Sequence, residues 1–309
     1  MKRIRISSRA SKLALIQTDL VRKLLESLSP GIQCSVVRVT TKGDLNKSDF
    51  LYQVESKGLF TSEVENALLE GRADLAVHSL KDLPTQLREG LVVAAIPKRE
   101  SPADALVARE KIMSIEDLPR GSTVGTSSLR RIAQLKLRRD DLECIPLRGN
   151  VETRIRKVKE GRVDAIIVAC AGLNRLGLSD TISAVLPPKE FIPSPAQGAL
   201  AVQIRTNDKE LAELVMQIDD KNSRIAVETE RLVLEALHGG CSIPLGVFSE
   251  IHDTTITTHS ILCGLDGKKY TKRSITSTTN QAKIGAVELA RQLSADGGEE
   301  ILAKIRNNK

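Results

Sequence analysis

Apolar positions along the chain follow two alternating rhythms. Short apolar runs at Lys2 to Ile6, Ile32 to Val39, Ala73 to Val77 and Leu91 to Ile96 read as strands, and the stretches between them, spaced by threes and fours, read as helices. This is an α/β alternation. After the first strand, Ser11 is placed to cap a helix whose Leu13, Ile16, Leu20 and Leu24 share one face. A second helix starts near Thr61 or Ser62, with Glu65 placed for a capping box.

The scheme then recurs. Glu70-Gly71-Arg72-Ala73-Asp74, leading into Leu75 to Val77, is echoed by Glu160-Gly161-Arg162-Val163-Asp164, leading into Ala165 to Ile167. Ser7-Ser8-Arg9 is matched more weakly by Ser127-Ser128-Leu129-Arg130, each where a strand gives way to a helix. Two similar α/β lobes follow. The first is the longer, mostly between Ile32 and Lys57, where the polar, irregular stretch from Lys42 to Lys57 has the pattern of a mobile flap. Ile96-Pro97 to Pro102 and Pro187-Pro188 to Pro195 read as two crossings between lobes, a two-stranded hinge. From about Lys221 the pattern changes to a long helix (Asn222 to Leu237), a Gly-Gly turn, three β-rich segments and a last amphipathic helix near Gln281 to Leu293. The expected organisation is lobe 1 at 1–98 with 198–218, lobe 2 at 103–194, and a C-terminal α+β domain with a three-stranded sheet at 221–309.

At 309 residues the chain can bury more than one core, which excludes a small stapled module. It shows no apolar run of the ~20 residues that cross a bilayer and no signal region, so no membrane is expected and a cytoplasmic location is. Five widely spaced cysteines without Cys-x-x-Cys argue against a disulfide framework or a zinc knuckle. The net charge of +7 is concentrated: between Arg120 and Arg162 twelve Lys or Arg stand against five acids. That window asks for an anion. With aromatic residues at 2% and no Trp, there are few platforms on which nucleic-acid bases could stack, so a smaller polyanion fits better.

Polar clusters gather at strand ends, where α/β sheets collect their ligands. His78-Ser79-Leu80-Lys81-Asp82 ends one apolar run with a hydroxyl, an ammonium and a carboxylate; standing alone, Lys81 and Asp82 read as an ordinary surface pair. Gly125-Thr126-Ser127-Ser128-Leu129-Arg130-Arg131 places small hydroxyl residues before a helix start, and Arg148-Gly149-Asn150 is followed a helical turn later by Arg154. Arg9 and Arg175 bring the set to six arginines, whose planar forks suit carboxylates. Cys34, Cys144, Cys170 and Cys263 lie in or beside apolar strands and read as small core residues. Cys241 follows His238-Gly239-Gly240 in a turn and reads either as a reactive or as a merely exposed thiol; with His238 it supplies only two ligands, so no metal is expected.

These motifs, in this order and with Lys57-Gly58-Leu59-Phe60, Ala171-Gly172-Leu173-Asn174-Arg175-Leu176-Gly177 and Gln197-Gly198-Ala199, resemble the porphobilinogen deaminase family over nearly the whole chain. The resemblance implies two lobes like those of periplasmic binding proteins and a third domain whose cysteine, here Cys241, holds a dipyrromethane cofactor through a thioether. The implied reaction joins four porphobilinogen units head to tail, with loss of ammonia at each step through a cationic azafulvene, and then releases hydroxymethylbilane by hydrolysis. By the same matching Asp82 is the catalytic carboxylate and also faces the cofactor. Cofactor contacts fall to Lys81, Ser79, Thr126, Ser128, Arg130, Arg131 and Arg148, and substrate contacts to Arg9, Ser11, Lys57, Phe60, Arg148, Arg154, Arg175 and Gln197. A monomer is expected, with no nucleic-acid partner. Departures from the family pattern are Gln53, where some relatives have lysine, Glu152, in place of a common glycine, and Ala196, where glycine is frequent. The alternative from another class is a non-catalytic two-lobed binding protein or sensor for an acidic small molecule, which gives Cys241 no task.

Overall fold

The computed structural model describes residues 2–41, 61–237 and 243–307. Its residues fall into two compact units, divided along the chain at 100/101, 197/198 and 224/225. In the first, β1 (Lys2–Arg9) pairs in parallel with β2 (Ile32–Val39), Lys2 opposite Ile32 and Arg9 opposite Val39, and with β3 (Leu75–Ser79). The late strand β10 (Leu200–Arg205) runs antiparallel between β3 and β4 (Leu91–Ala95), so the sheet order is β2-β1-β3-β10-β4. Helix α1 (Lys12–Leu28) covers one face, where Val21 and Leu25 join Ile4, Ile6, Leu75 and Val202; on the other, α2 (Ser62–Leu69) buries Val64 and Leu68 against Ala73 and Ala76.

The second unit holds a five-stranded sheet of the same plan. β5 (Asp104–Ala108), β6 (Thr123–Gly125), β7 (Glu143–Ile145), β8 (Ala165–Ala169) and β9 (Ala184–Leu186) lie in the order β7-β6-β8-β5-β9, with β6 parallel to β7 and β8, and β5 antiparallel to β8 and β9. Strand for strand this matches the first sheet. The sequence echo sits where the plan requires it: Gly71 and Gly161 turn the chain at φ +69° and +71° into β3 and β8, a left-handed conformation that glycine adopts without steric cost. Helices α3 (Leu129–Arg138), α4 (Val151–Lys159) and α5 (Cys170–Leu176) flank this sheet. Helix α6 (Lys209–Met216) belongs to the first unit, and α7 (Lys221–Ala236) runs across the 224/225 division.

The second unit also carries an antiparallel sheet, β11 (Leu245–His252), β12 (Thr255–Cys263) and β13 (Tyr270–Thr278), backed by α8 (Ala282–Leu293) and α9 (Glu299–Asn307). Two α/β lobes and a three-stranded C-terminal sheet are thus the architecture expected from the sequence.

Four local expectations are corrected. The buried face of α1 is Gln17, Thr18, Val21 and Leu25, whereas Leu20 and Leu24 are exposed, because two polar positions of that helix are turned inward. Thr61 precedes α2 without a side-chain cap, and Glu65 accepts from the amide of Gln203 instead of closing a capping box. Strand β3 begins at Leu75 and not at Ala73, since the Ala73 N–H is still spent on Ala67 O, at 2.9 Å, as the chain leaves α2. Finally, α9 follows α8 and adds Ile301, Leu302 and Ile305 to the C-terminal core.

Within the second unit the C-terminal sheet packs on the segment after β9. Val247 N–H donates to Pro193 O at 2.9 Å, and Ala133, Ile192, Ile261 and Cys263 form a shared apolar cluster. Gly246 is required there, since a Cβ at that position would stand 2.5 Å from the Ile192 carbonyl oxygen. Gly246→Ala should therefore destabilise the protein by about 1–3 kcal/mol, the range for overpacking a filled interior. A lowered urea midpoint is the expected reading, and an unchanged one would disprove the close fit.

Candidate active site

In the first unit β3 ends at Ser79 and tightens into a 3-10 turn, Leu80–Asp82. Leu80 N–H donates to Ala199 O at 3.0 Å, Leu83 N–H closes on Leu80 O at 3.2 Å, and both leucines are buried. Anchored at each end, the turn leaves Lys81 half-buried and Asp82 exposed. The Ser79 hydroxyl accepts from Gln17 Nε2 at 2.9 Å and reaches Gln17 Oε1 at 3.3 Å, which explains why α1 turns Gln17 inward. Ser11 caps α1 as expected, accepting from Ala14 N–H at 3.4 Å, and Arg9 lies half-buried at the end of β1.

Beneath this loop His78 is buried on β3, its Nε2 3.0 Å from Gln203 Oε1, while Gln203 Nε2 donates to Glu65 Oε1 at 3.0 Å. The amide oxygen can only accept, so Nε2 carries the imidazole proton. Burial pushes the ring down to about 4; the Gln203 contact opposes the fall and the Arg9 charge adds to it.

The second unit gathers cations. Asp104 opens β5 with its side chain fully enclosed, pairing with Arg131 Nη2 at 2.6 Å and Arg130 Nη1 at 2.8 Å. Arg131 also donates from Nη1 to Ile167 O at 2.9 Å; Arg130 donates to Ile192 O at 3.0 Å and lies 5.9 Å above the Phe191 ring. Burial alone would raise the Asp104 carboxyl, but the two guanidinium charges outweigh it and hold the group far below the carboxylate range. Gln197, fully buried, donates to Asp104 Oδ1 at 2.9 Å and to Pro102 O at 2.8 Å.

Around this pair stand Arg148 and Arg154. Asn150 caps α4 by accepting from Thr153 N–H at 2.8 Å, and Arg154 Nε donates back to Gly149 O at 2.9 Å. Arg154 is pushed down to about 10, first by burial and then by repulsion from Arg131 and Arg148. Thr126, buried after β6, accepts from Ser128 N–H at 3.2 Å, and Ser128 precedes α3 as its N-terminal residue. Arg175 lies half-buried in α5. One unit thus presents Asp82 with Arg9, Ser11, Ser79 and Lys81, while the other brings Arg130, Arg131, Arg148 and Arg154 together beside Thr126, Ser128 and Gln197. Lys57, Phe60, His238 and Cys241, with the flap from Lys42 to Lys57 and Gln53, lie outside the described residues. The sequence reading missed Gln17, Gln203 and Asp104; an acid heading the apolar run Asp104-Ala105-Leu106-Val107 was the available signal, since a charge in a buried strand has to be paired.

Among the described residues no group of three or more acids, histidines or cysteines is arranged to hold a metal. Four thiols are poor nucleophiles: burial pushes Cys263 up to about 12 and Cys34 and Cys170 to about 11, and raises Cys144.

Two α/β lobes of one topology, one with an exposed acid on a strand-end turn and the other with four arginines gathered with one enclosed acid, define an α/β protein suited to a carboxylate-rich ligand. Family models described as "Porphobilinogen deaminase, dipyromethane cofactor binding domain" and "Porphobilinogen deaminase, C-terminal domain" match residues 4–213 and 224–302. The chain is 44% identical to a porphobilinogen deaminase of Nitratidesulfovibrio vulgaris, covering 99% of this chain and 98% of that one. It is 42% identical to a porphobilinogen deaminase of Syntrophobacter fumaroxidans, over 98% of this chain and 97% of that one. Among solved structures, the methionine-binding protein MetQ is similar at 14% identity and a TM-score of 0.45, over 70% of this chain and 89% of that one, a likeness too loose to bear on mechanism. The chain belongs to the porphobilinogen deaminase family, and it is a transferase with a dipyrromethane cofactor.

The donors present fit that cofactor. Each of its rings bears an acetate and a propionate, and Arg130 Nε and Arg148 Nε are buried without a hydrogen-bond partner among the described residues.

The buried imidazole gives a pH dependence. The unfolded chain binds a proton near 6.5 and the folded one only near 4, so His78 stabilises the fold above 6.5 and that contribution drains away as the pH falls through 4. It amounts to roughly 3 kcal/mol at most. His78→Gln should flatten the melting-temperature profile between pH 6.5 and 4; a profile as steep as the wild type's would show that His78 does not drive it.

Proposed function

We propose that this chain joins four porphobilinogen molecules head to tail onto a dipyrromethane held by Cys241, and then releases hydroxymethylbilane, with Asp82 as its catalytic carboxylate. The observation that carries the reading is the gathering of four arginines with one enclosed acid in the second unit, where burial first and then the charges of Arg131 and Arg148 make Arg154 uncomfortable as a cation until carboxylates arrive. When bound, dipyrromethane supplies the nucleophilic pyrrole to which units are added. Arg130, Arg131 and Arg148 hold its carboxylates together with Ser79, Lys81, Thr126 and Ser128. Arg9, Ser11, Lys57, Phe60, Arg154, Arg175 and Gln197 receive the incoming unit. Cys241 is favoured as the attachment point because burial raises the pKa of each of the other four thiols.

Asp82 stands on a turn whose two leucine anchors fix its backbone while its carboxylate stays exposed. Its negative charge faces the positive charge that develops as ammonia departs, and it holds or passes the proton of the pyrrole N–H. Unit charges about 4 Å apart at an effective dielectric near 20 attract by about 4 kcal/mol, enough to change a rate by orders of magnitude.

No nucleic acid or membrane is assigned as a partner. Outside the cluster much of the basic window is spent locally, Arg138 on Glu116 and Glu190, Arg139 on Asp141, and Arg156 and Arg162 on Glu160. Among the described residues no helix is long and apolar enough to cross a membrane. A monomer working in the cytoplasm is the accompanying reading.

Intact mass tests the attachment. Protein from cells able to make porphobilinogen should carry a dipyrromethane adduct that Cys241→Ser lacks, and an unmodified wild-type chain would favour a binding protein without catalysis. Asp82→Asn should keep the adduct and the circular dichroism spectrum while turnover falls about 10²- to 10⁴-fold, the range for removing a positioned acid or base. Near-normal ammonia release from that variant would remove Asp82 from the central role.

A further inference from the structure

We propose that Asp104 is a positioning residue for this reaction: it sets the planes of the Arg130 and Arg131 guanidiniums, and so the geometry in which they receive carboxylates. The inference rests on the reading that those arginines bind the cofactor, and it adds a residue that the motifs did not include.

Asp104 has no exposed side-chain surface. Its Oδ1 accepts from Arg131 Nε at 3.2 Å, Arg131 Nη2 at 2.6 Å and Gln197 Nε2 at 2.9 Å, while Oδ2 faces Arg130 Nη1 at 2.8 Å. Asp104 thus grips Arg131 along one edge of its fork and Arg130 at one nitrogen. The carbonyls of Ile167 and Ile192 and the Phe191 ring set the remaining orientation. Asp104 is itself pinned, because β5 pairs with β8 and β9 at Asp104 opposite Ala169 and Leu186. Two cations share one anion, so pairing leaves net positive charge and the unpartnered Nε of Arg130. A buried ion pair that served stability alone would gain little over apolar residues of the same volume. Two forks held rigidly with charge to spare form a receptor whose ordering cost is met before the ligand arrives.

The test separates position from charge. Asp104→Glu keeps the charge but moves the carboxylate by one methylene; apoprotein of this variant with wild-type circular dichroism should acquire its adduct from porphobilinogen about tenfold more slowly by intact mass, with KM raised more than kcat is lowered. A wild-type rate of adduct formation and a wild-type KM in that variant would overturn the proposal. Arg131→Leu checks the reading beneath it. Slow loading of Arg131→Leu beside normal loading of Asp104→Glu would sink the positioning role and leave the cofactor reading standing, whereas normal loading of Arg131→Leu would sink both. If Asp104→Glu does not fold, wild-type apoprotein decides: the Arg131 Nε–H should exchange with solvent at least about tenfold more slowly than that of exposed Arg156, and equal rates would overturn the proposal.

Discussion

A single enclosed carboxylate between two enclosed guanidiniums is the constraint around which the second unit is arranged. Three charges removed from water are held by pairing with one another and with partners that come from several directions: β5 supplies Asp104, β8 the Ile167 carbonyl, and the segment after β9 both the Ile192 carbonyl and the Phe191 ring. The same Ile192 carbonyl accepts from Gln134 and is approached by the backbone at Gly246. The packing of the C-terminal sheet and the orientation of the arginines therefore share one short stretch of chain.

Charge density in the sequence and charge availability in the fold are different quantities. Arg138, Arg139, Arg156 and Arg162 belong to the same basic window as Arg130, Arg131, Arg148 and Arg154, yet the first four meet acids near the surface, where solvent screens them and pairing contributes little. The second four are drawn together under partial or full burial, and burial first, then repulsion from Arg131 and Arg148, pushes Arg154 down to about 10. An acidic ligand gains most where cations are already desolvated and mutually repelling, because its arrival relieves a cost the fold has accepted.

The repeated lobe plan was legible because both the glycine turn and the apolar strand after it are local signals, and the chain states them twice. The clusters at strand ends were legible for the same reason. What escaped were residues whose meaning lies across the sheet. Leu20 and Leu24 satisfied the helical spacing, but Gln17 and Thr18 occupy the buried face because Ser79, 62 positions away in sequence, offers Gln17 a partner. Glu65 stood at a capping position and turned to Gln203, 138 positions distant. Asp104 heads an apolar strand, and its two cations come from a helix 26 and 27 residues later. Long-range polar pairing has no period, so no spacing rule finds it.

Ala196 shows how such pairing licenses a locally unfavourable choice. It holds φ +60°, a conformation costing a residue with a Cβ roughly 1–2 kcal/mol, at a position where glycine would be free of that cost. Its N–H donates at 2.6 Å to Glu230 Oε2, and Glu230 Oε1 accepts from Ser249 N–H at 2.8 Å. A hydrogen bond to a buried carboxylate contributes about 1.5–3 kcal/mol, enough to offset the strain. The next residue is Gln197, whose amide reaches Asp104. Helix α7, which carries Glu230 and ends five residues before Cys241, is thereby joined through Ala196 and Gln197 to the acid that orients the arginines. The strained backbone at Ala196 is held because the carboxylate behind it and the amide ahead of it are fixed by partners that a relaxed backbone would no longer reach.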